Sequence, residues 1–429
     1  MPADGSIVTR TKRIPSRSHA HTIRRLAVSV AAAAVLLPMS APAHAATRDT
    51  VSRPSSGGFV ISGQGFGHGR GMSQWGAYGA ATAGLNWSRI LDFYYPGTVR
   101  SKLPESTMRV WLSADNDGDT RIAPARGMSL TVGATRRALP SGNGYRAWRA
   151  IRSGKTLNVQ YLNNANTWRP YTTTTGSAVV FATNSGLVDV LLPGGNVKRV
   201  RGSVSAVSDR AATSGMRTVL NSSMESYLRS VVPNEMPASW HPNALAAQTV
   251  AARTYAAAYR TNQRARKATW DICDTTTCQV FKGVANTSRW GTRTPGEYAS
   301  TDAAIKATTG TVLRTRNKNF AFTEFSASNG GWTVEGGPYY QVAKADPYDG
   351  RMKNPNSSWS VTISPAKMDA AFGVGTVRSL RITQRDGHGA RGGRVLSVLV
   401  SGSRGTKTVS GDSFRWALRL RSDWVSFAG

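Results

Sequence analysis

Between Met108 and Val204 short apolar runs alternate with turn residues, as in Met108-Arg109-Val110-Trp111-Leu112, Ala178-Val179-Val180-Phe181 and Val188-Asp189-Val190-Leu191-Leu192, the last closed by Pro193-Gly194-Gly195. Runs this short between turn signals predict strands. The pattern returns from Thr311 onward, in Thr311–Arg314, Phe320–Phe322, Ser360–Ile363 and Val395–Val400. Helical spacing is confined mainly to two stretches. The first starts at Ser222, with Glu225 placed three residues on to complete a capping box, and runs to about Val231. The second opens with Pro242 at the first helical position and runs to Tyr259, with Leu245, Gln248, Ala252, Tyr255 and Tyr259 on one stripe. A glutamine in that stripe reads equally as a satisfied core amide or as a group facing a cleft. The predicted fold is α+β, rich in strands, with a few helices.

The ends carry other signals. Residues 1–45 read as an export signal, with basic residues from Arg10 to Arg25, an apolar run Leu26 to Leu37 and a small-residue cleavage site at Ala43-His44-Ala45. Residues 46–58 are small and polar and predict a linker, with folding starting near Phe59. No later stretch approaches the roughly 20 apolar residues a bilayer span needs. The expectation is a secreted or cell-wall protein without a transmembrane anchor.

Of 429 residues, 54 are Lys or Arg and 23 are Asp or Glu, while the hydrophobic fraction of 40% is enough for a packed core and excludes a wholly disordered chain. Without the export signal 48 basic residues face 22 acidic ones, a net +26. Such a field attracts polyanions. Nucleic acid is the usual one, but an exported chain meets anionic wall polymers and lipid head groups instead, so nucleic acid is not expected as a partner; a merely solvated basic surface fits the composition equally. Cys273 and Cys278 are the only cysteines. Export permits a disulfide between them; zinc would need two further ligands, and no histidine lies between His241 and His388. Neither a metal nor another cofactor is expected.

Glycine recurs at every second position in Gly63-Gln64-Gly65-Phe66-Gly67-His68-Gly69-Arg70-Gly71-Met72-Ser73-Gln74-Trp75-Gly76. In an extended backbone that places the glycines on one face, where a sugar ring could approach the main chain; a flexible glycine loop is the plainer alternative. Serine-hydrolase chemistry lacks a Gly-x-Ser-x-Gly elbow, and His68, His241 and His388 are too scattered for a metal site. Carboxylate chemistry remains. Glu235 lies in Val231-Val232-Pro233-Asn234-Glu235-Met236-Pro237-Ala238-Ser239-Trp240-His241-Pro242, expected as a proline-stiffened loop whose apolar neighbours raise a carboxyl pKa toward that of a general acid. A surface-loop glutamate is the alternative.

The run Tyr227-Leu228-Arg229-Ser230-Val231-Val232-Pro233-Asn234-Glu235-Met236-Pro237-Ala238-Ser239-Trp240, followed by Ala244–Ala256, resembles the central signature of the stage II sporulation protein D and amidase-enhancer family. Phe325-Ser326-Ala327-Ser328-Asn329-Gly330-Gly331-Trp332-Thr333 resembles the family's serine and double-glycine segment, and Gly411–Ser422 its closing strand and helix. Residues 101–429 are thus similar to the family domain. The segments Gly65–Ala77 and Ile90–Gly97 usually close that domain and here open it, so residues 59–100 read as a displaced motif, and 59–429 as one circularly rearranged unit. Some relatives bind zinc through a histidine before a cysteine pair, which this chain lacks.

The resemblance implies an exported peptidoglycan lytic transglycosylase that leaves 1,6-anhydro ends, with Glu235 at the position of the catalytic glutamate. The alternative it implies is a non-enzymatic enhancer of a cell-wall amidase on the same glycan strands. Binding roles would fall to His68, Ser73 and Gln74 of the displaced motif, to Gln248, Arg253 and Tyr255, and to Ser328, Asn329, Gly330 and Gly331. His68 is expected near Glu235 as a group whose charge varies around neutral pH, or else as a turn residue satisfying backbone. Glu225 is expected to be structural, while Glu324 and Glu335 are candidate helpers.

Overall fold

In the computed structural model, which describes residues 49–427 except 210 and 213, the apolar runs pair into two large, mainly antiparallel sheets. The expected export signal lies outside the described residues. One sheet has eight strands, in the order 168–174, 156–162, 147–153, 119–122, 187–191, 197–201, 285–287 and 293–295; the other has seven, in the order 272–273, 107–111, 216–223, 203–208, 178–183, 128–132 and 135–138. Val179 and Phe181 on one sheet, like Val188 and Val190 on the other, are buried at alternate positions, so each sheet turns one face to a shared core. That core also takes in Trp148, Leu220 and the inner face of the glutamate helix, through Tyr227, Leu228, Val231 and Val232.

Seven α-helices are present among the described residues: α1 Gln74–Thr82, α2 Trp87–Tyr94, α3 Met224–Glu235, α4 Pro242–Ala265, α5 Ala299–Ala307, α6 Pro365–Phe372 and α7 Gly411–Leu418. The expected capping box is corrected by one residue. Ser223, not Ser222, accepts the Ser226 N–H at 3.2 Å, and Ser222 instead donates to Arg201 O at 2.8 Å. Glu225 turns away to Arg253, with 2.9 and 2.7 Å contacts, because a buried guanidinium outcompetes a backbone N–H for its carboxylate. The helix also runs past Val231 and through Pro233. Proline forfeits one helical hydrogen bond, but Asn234 ties the last turn by donating to Ser230 O at 2.7 Å and Gly296 O at 3.2 Å. Helix α4 continues six residues beyond the expected Tyr259 to Ala265.

The linker expected over 46–58 is corrected too. Thr50–Ser52 is the edge strand of a four-stranded sheet, in register with Ser379–Arg381, and Arg53 grips Asp369 with a two-pronged contact. Phe59–Gly63 is the central strand between Trp359–Ile363 and Val425–Phe427, and Met72–Ser73 runs parallel to Phe325–Ser326. A second core joins Met72, Ala77, Ile90, Leu91, Tyr94 and Tyr95 to Leu245, Ala247 and Val250 of α4, and a third joins Phe59 and Ile61 to Leu380, Val398, Phe414 and Phe427. The start of the described chain is therefore built into the middle of the fold. Phe320–Phe322, expected as a strand, makes only an isolated bridge from Phe320 to Arg314.

The glycine segment is not extended. Gly65, Gly67, Gly69 and Gly71 all have positive φ, so alternation marks successive left-handed turns instead of a flat strand face. The space beside them is filled by the protein: a Cβ on Gly71 would lie 2.0 Å from Glu324 O, and one on Gly67 2.6 Å from Ser326 Cβ. The sugar-facing glycine strand is thereby corrected to a close backbone packing against residues 324–328.

Candidate active site

Helix α3 ends on Glu235, whose half-buried carboxylate accepts the Val280 N–H at 2.7 Å. The expected loop starts only at Met236, where the backbone becomes extended. Burial pushes the Glu235 pKa up to about 7, with the Val280 N–H pulling the other way. The segment that supplies this N–H is anchored from three sides. Cys273 and Cys278 form the expected disulfide just before it. Gln279 accepts from Tyr227 Oη at 2.9 Å and donates to Ala252 O at 3.3 Å, linking α3 and α4. Reduction of the disulfide, which spans a separation of five residues, should cost about 2 kcal/mol of stability by loop entropy. Urea unfolding with and without reductant measures that cost.

Burial raises the pKa of half-buried Tyr255 on α4, and Tyr259, then the carboxyls of Glu324 and Glu235, raise it further. The two carboxyls are driven in opposite directions. Arg70 forks onto Glu324 at 3.1 and 2.7 Å and holds it ionised below its ordinary range against the opposing effect of burial. Glu335 is exposed. His68 uses Nδ1 to accept the Arg70 N–H at 3.0 Å, a local turn contact, and burial followed by the Arg70 charge lowers its pKa to about 4. The expectation of a histidine titrating near neutrality is corrected: it stays neutral there, and the charges acting on it are mainly Arg70, Glu324, Arg394 and Arg415.

What joins the displaced motif to the Glu235 loop is aromatic. Trp240 stacks on Tyr78 with centroids 4.6 Å apart and meets Trp75 edge-on at 4.7 Å, while Met236 and Met72 share the second core. Gln74 is buried at the start of α1. Gln248 is fully buried, and neither side-chain atom has a partner among the described residues, so it is not the satisfied core amide. Arg253 is corrected from a binding to a structural role: it is 0% exposed and spent on Glu225 and Thr311 O.

The serine and double-glycine segment is held from inside by two buried acids. Asp349 accepts from Ser73 Oγ, from Ser328 Oγ at 2.7 Å, from the Asn329 N–H at 3.2 Å and from the Gly330 N–H at 3.1 Å. Asp346 accepts from Tyr94 Oη at 2.7 Å and Asn329 Nδ2 at 2.6 Å, and the Gly331 N–H closes onto Asn329 Oδ1 at 2.9 Å. Ser73, Ser328 and Asn329 are thus buried struts that fix the shape of the loop. All three are 0% exposed, and half-buried Gly330 and Gly331 are what this loop shows to solvent. Asp349→Ala would strand several buried donors and should lose about 3 kcal/mol or more. Chemical denaturation checks this.

Residues 212–314, which carry α3, α4, the disulfide and α5, match the family model described as stage II sporulation protein. The amidase enhancer of Bacillus subtilis (strain 168) is 32% identical over 47% of this chain and 25% of its own length. Stage II sporulation protein D from the same strain is 30% identical over 51% of this chain and 64% of its own, and that of Bacillus amyloliquefaciens 29% over the same shares. The chain is thus similar, through its residues 212–314 above all, to the stage II sporulation proteins D and to the amidase enhancer. It spans a quarter of the first relative and under two thirds of the others. The family-matched stretch includes Glu235 and the Val280 N–H, whereas Arg70 and Glu324 lie outside it. No helix among the described residues is long and apolar enough to cross a membrane.

Sequence reasoning missed the Val280 N–H, which has no side-chain signature. It also missed the acids Asp346 and Asp349, which sit in an unremarkable polar stretch. For the Arg70–Glu324 pair the only signal in the sequence is Glu324 itself, beside the serine and double-glycine segment.

Proposed function

We propose that this chain is a cell-wall protein that cleaves peptidoglycan glycan strands as a lytic transglycosylase, with Glu235 as acid and then base. The observation that supports this is a single carboxyl held at a pKa of about 7 by burial, with one N–H on it. Protonated Glu235 donates its proton to the glycosidic oxygen as the bond from C1 of N-acetylmuramic acid breaks. The resulting carboxylate takes the proton of the 6-hydroxyl as O6 bonds to C1, which closes the 1,6-anhydro ring and restores the acid. Water is not consumed. Hydrolysing glycosidases need a second free carboxylate to activate water or attack C1, whereas Glu324 is neutralised by Arg70. Anionic wall polymers would be further partners for the basic surface.

The similarity to a protein named amidase enhancer favours a second reading. There the same residues would hold glycan and activate a separate cell-wall amidase without cleaving anything. Mass spectrometry of sacculi digested with the purified chain, with and without prior amidase stripping of stem peptides, separates the two. Anhydro-muramic ends support cleavage. Their absence under both conditions, with faster release by added amidase, supports the enhancer.

A further inference from the structure

The loop between strands 107–111 and 119–122, which carries the chain from one large sheet to the other, reads Asp115-Asn116-Asp117-Gly118-Asp119. Carboxylates at its first, third and fifth positions repeat the spacing with which calcium loops present oxygen ligands. Two of them are well inside the protein, Asp115 at 5% exposure and Asp119 at 7%. Each has one oxygen engaged and one without a partner among the described residues. Asp115 Oδ2 accepts from Thr218 Oγ1 at 2.5 Å and Asp119 Oδ2 from Arg121 Nε at 2.8 Å, while Asp115 Oδ1 and Asp119 Oδ1 are enclosed and unpaired. An enclosed carboxylate oxygen without a donor is costly, and one such persists on each of two neighbouring acids even with Arg121 at 2.8 Å and Arg149 at 3.6 Å from Asp119 Oδ2, a feature that a bound cation would relieve.

We propose that this loop is a calcium site, with Asp115 Oδ1, Asp119 Oδ1 and the Asp117 carboxylate as ligands. In this structure Asp117 is drawn to Arg121 at 3.3 Å, so the described residues show no closed cluster of three acids. Asp117 is the mobile partner in the exchange, since its side chain is 28% exposed and can leave Arg121 for the ion while Arg121 keeps its 2.8 Å contact with Asp119 Oδ2. The three neighbouring carboxylates repel one another, and a dication removes that repulsion. Calcium is favoured over magnesium because one exposed, movable carboxylate, Asp117, beside two fixed ones suits a larger ion with variable coordination. Its effect would be to brace the crossover between the sheets, through Asp115, Thr218 and the 2.6 Å contact of Thr218 with Thr120.

Terbium and calcium titrations of the full chain test the site, with Trp111 four residues away as the sensitiser of terbium emission. Calcium should displace terbium with a Kd on the order of 10⁻⁴–10⁻³ M, as in extracellular modules. At ~10 mM it should raise the melting temperature by about 2 °C or more. Asp117→Ala, an exposed position that leaves the core untouched, should weaken calcium about tenfold. Asp115→Asn with Asp119→Asn should be at least as stable as the wild type without calcium, and should lose the calcium response. The proposal is overturned if calcium leaves wild-type melting unchanged, if the double variant responds as the wild type does, or if magnesium acts as strongly.

Discussion

Replacing Glu235 by Gln should reduce the formation of anhydro-muramic ends by at least ~10² while the chain stays folded and binds glycan. The amide keeps the shape and can still accept the Val280 N–H at its 2.7 Å position, but it has no proton to deliver. The same substitution makes a second, independent prediction about stability. The folded carboxyl titrates at about 7 against an ordinary 4.5, so between these values the folded state binds more protons than the unfolded one. Its contribution to stability is therefore present at low pH and lost as pH rises through that window. The Gln variant escapes that loss and should be more stable than wild type at pH 8, by about 3 kcal/mol at most, and not at pH 4. Cleavage by the wild type should fall above about pH 7 as the acid form disappears. Product analysis and urea unfolding at the two pH values read both effects. Full activity in the Gln variant would remove Glu235 from the role of acid.

A chain trimmed to begin at Val99 should fail to fold cooperatively. It loses Phe59 and Ile61 from the third core and Met72, Ile90, Leu91, Tyr94 and Tyr95 from the second. Each large buried side chain is worth about 2–5 kcal/mol, and together they exceed the roughly 5–15 kcal/mol that holds a typical domain folded. The trimmed chain also leaves Glu324 without Arg70, and Asp349 without Ser73. Calorimetry should show no single sharp transition, and supplying a peptide of residues 49–98 should restore part of it. A trimmed protein that melts sharply and cleaves glycan at the full rate would make the segment an accessory, and would defeat the reading of one circularly rearranged unit.

The sequence by itself determined what depends on near neighbours. Alternation over Ala178–Phe181 and Val188–Leu192 was enough for strands, because a half-buried sheet repeats every two residues. Pro242 and the stripe after it were enough for α4. Two cysteines five residues apart, in a chain whose start reads as an export signal, were enough for the disulfide. Apolar neighbours around Glu235 were enough to anticipate the direction of its pKa.

The tertiary structure decided everything that rests on partners remote in the chain. Helix α1 was hidden by Gly76 and Gly79, which spoil a helical pattern yet are required there, since a Cβ would lie 2.0 Å from Tyr94 Oη and 2.2 Å from Tyr348 O. Alternating glycines became turns because residues 324–328 occupy the space a flat strand would have left for ligand. His68 lost its switch near neutrality because burial and Arg70 disfavour its charge, and Arg253 left the binding set because Glu225 claims it. Spacing along the chain reports which face a residue shares with its neighbours; which carboxylate keeps its proton depends on the burial and the charges that folding brings to it.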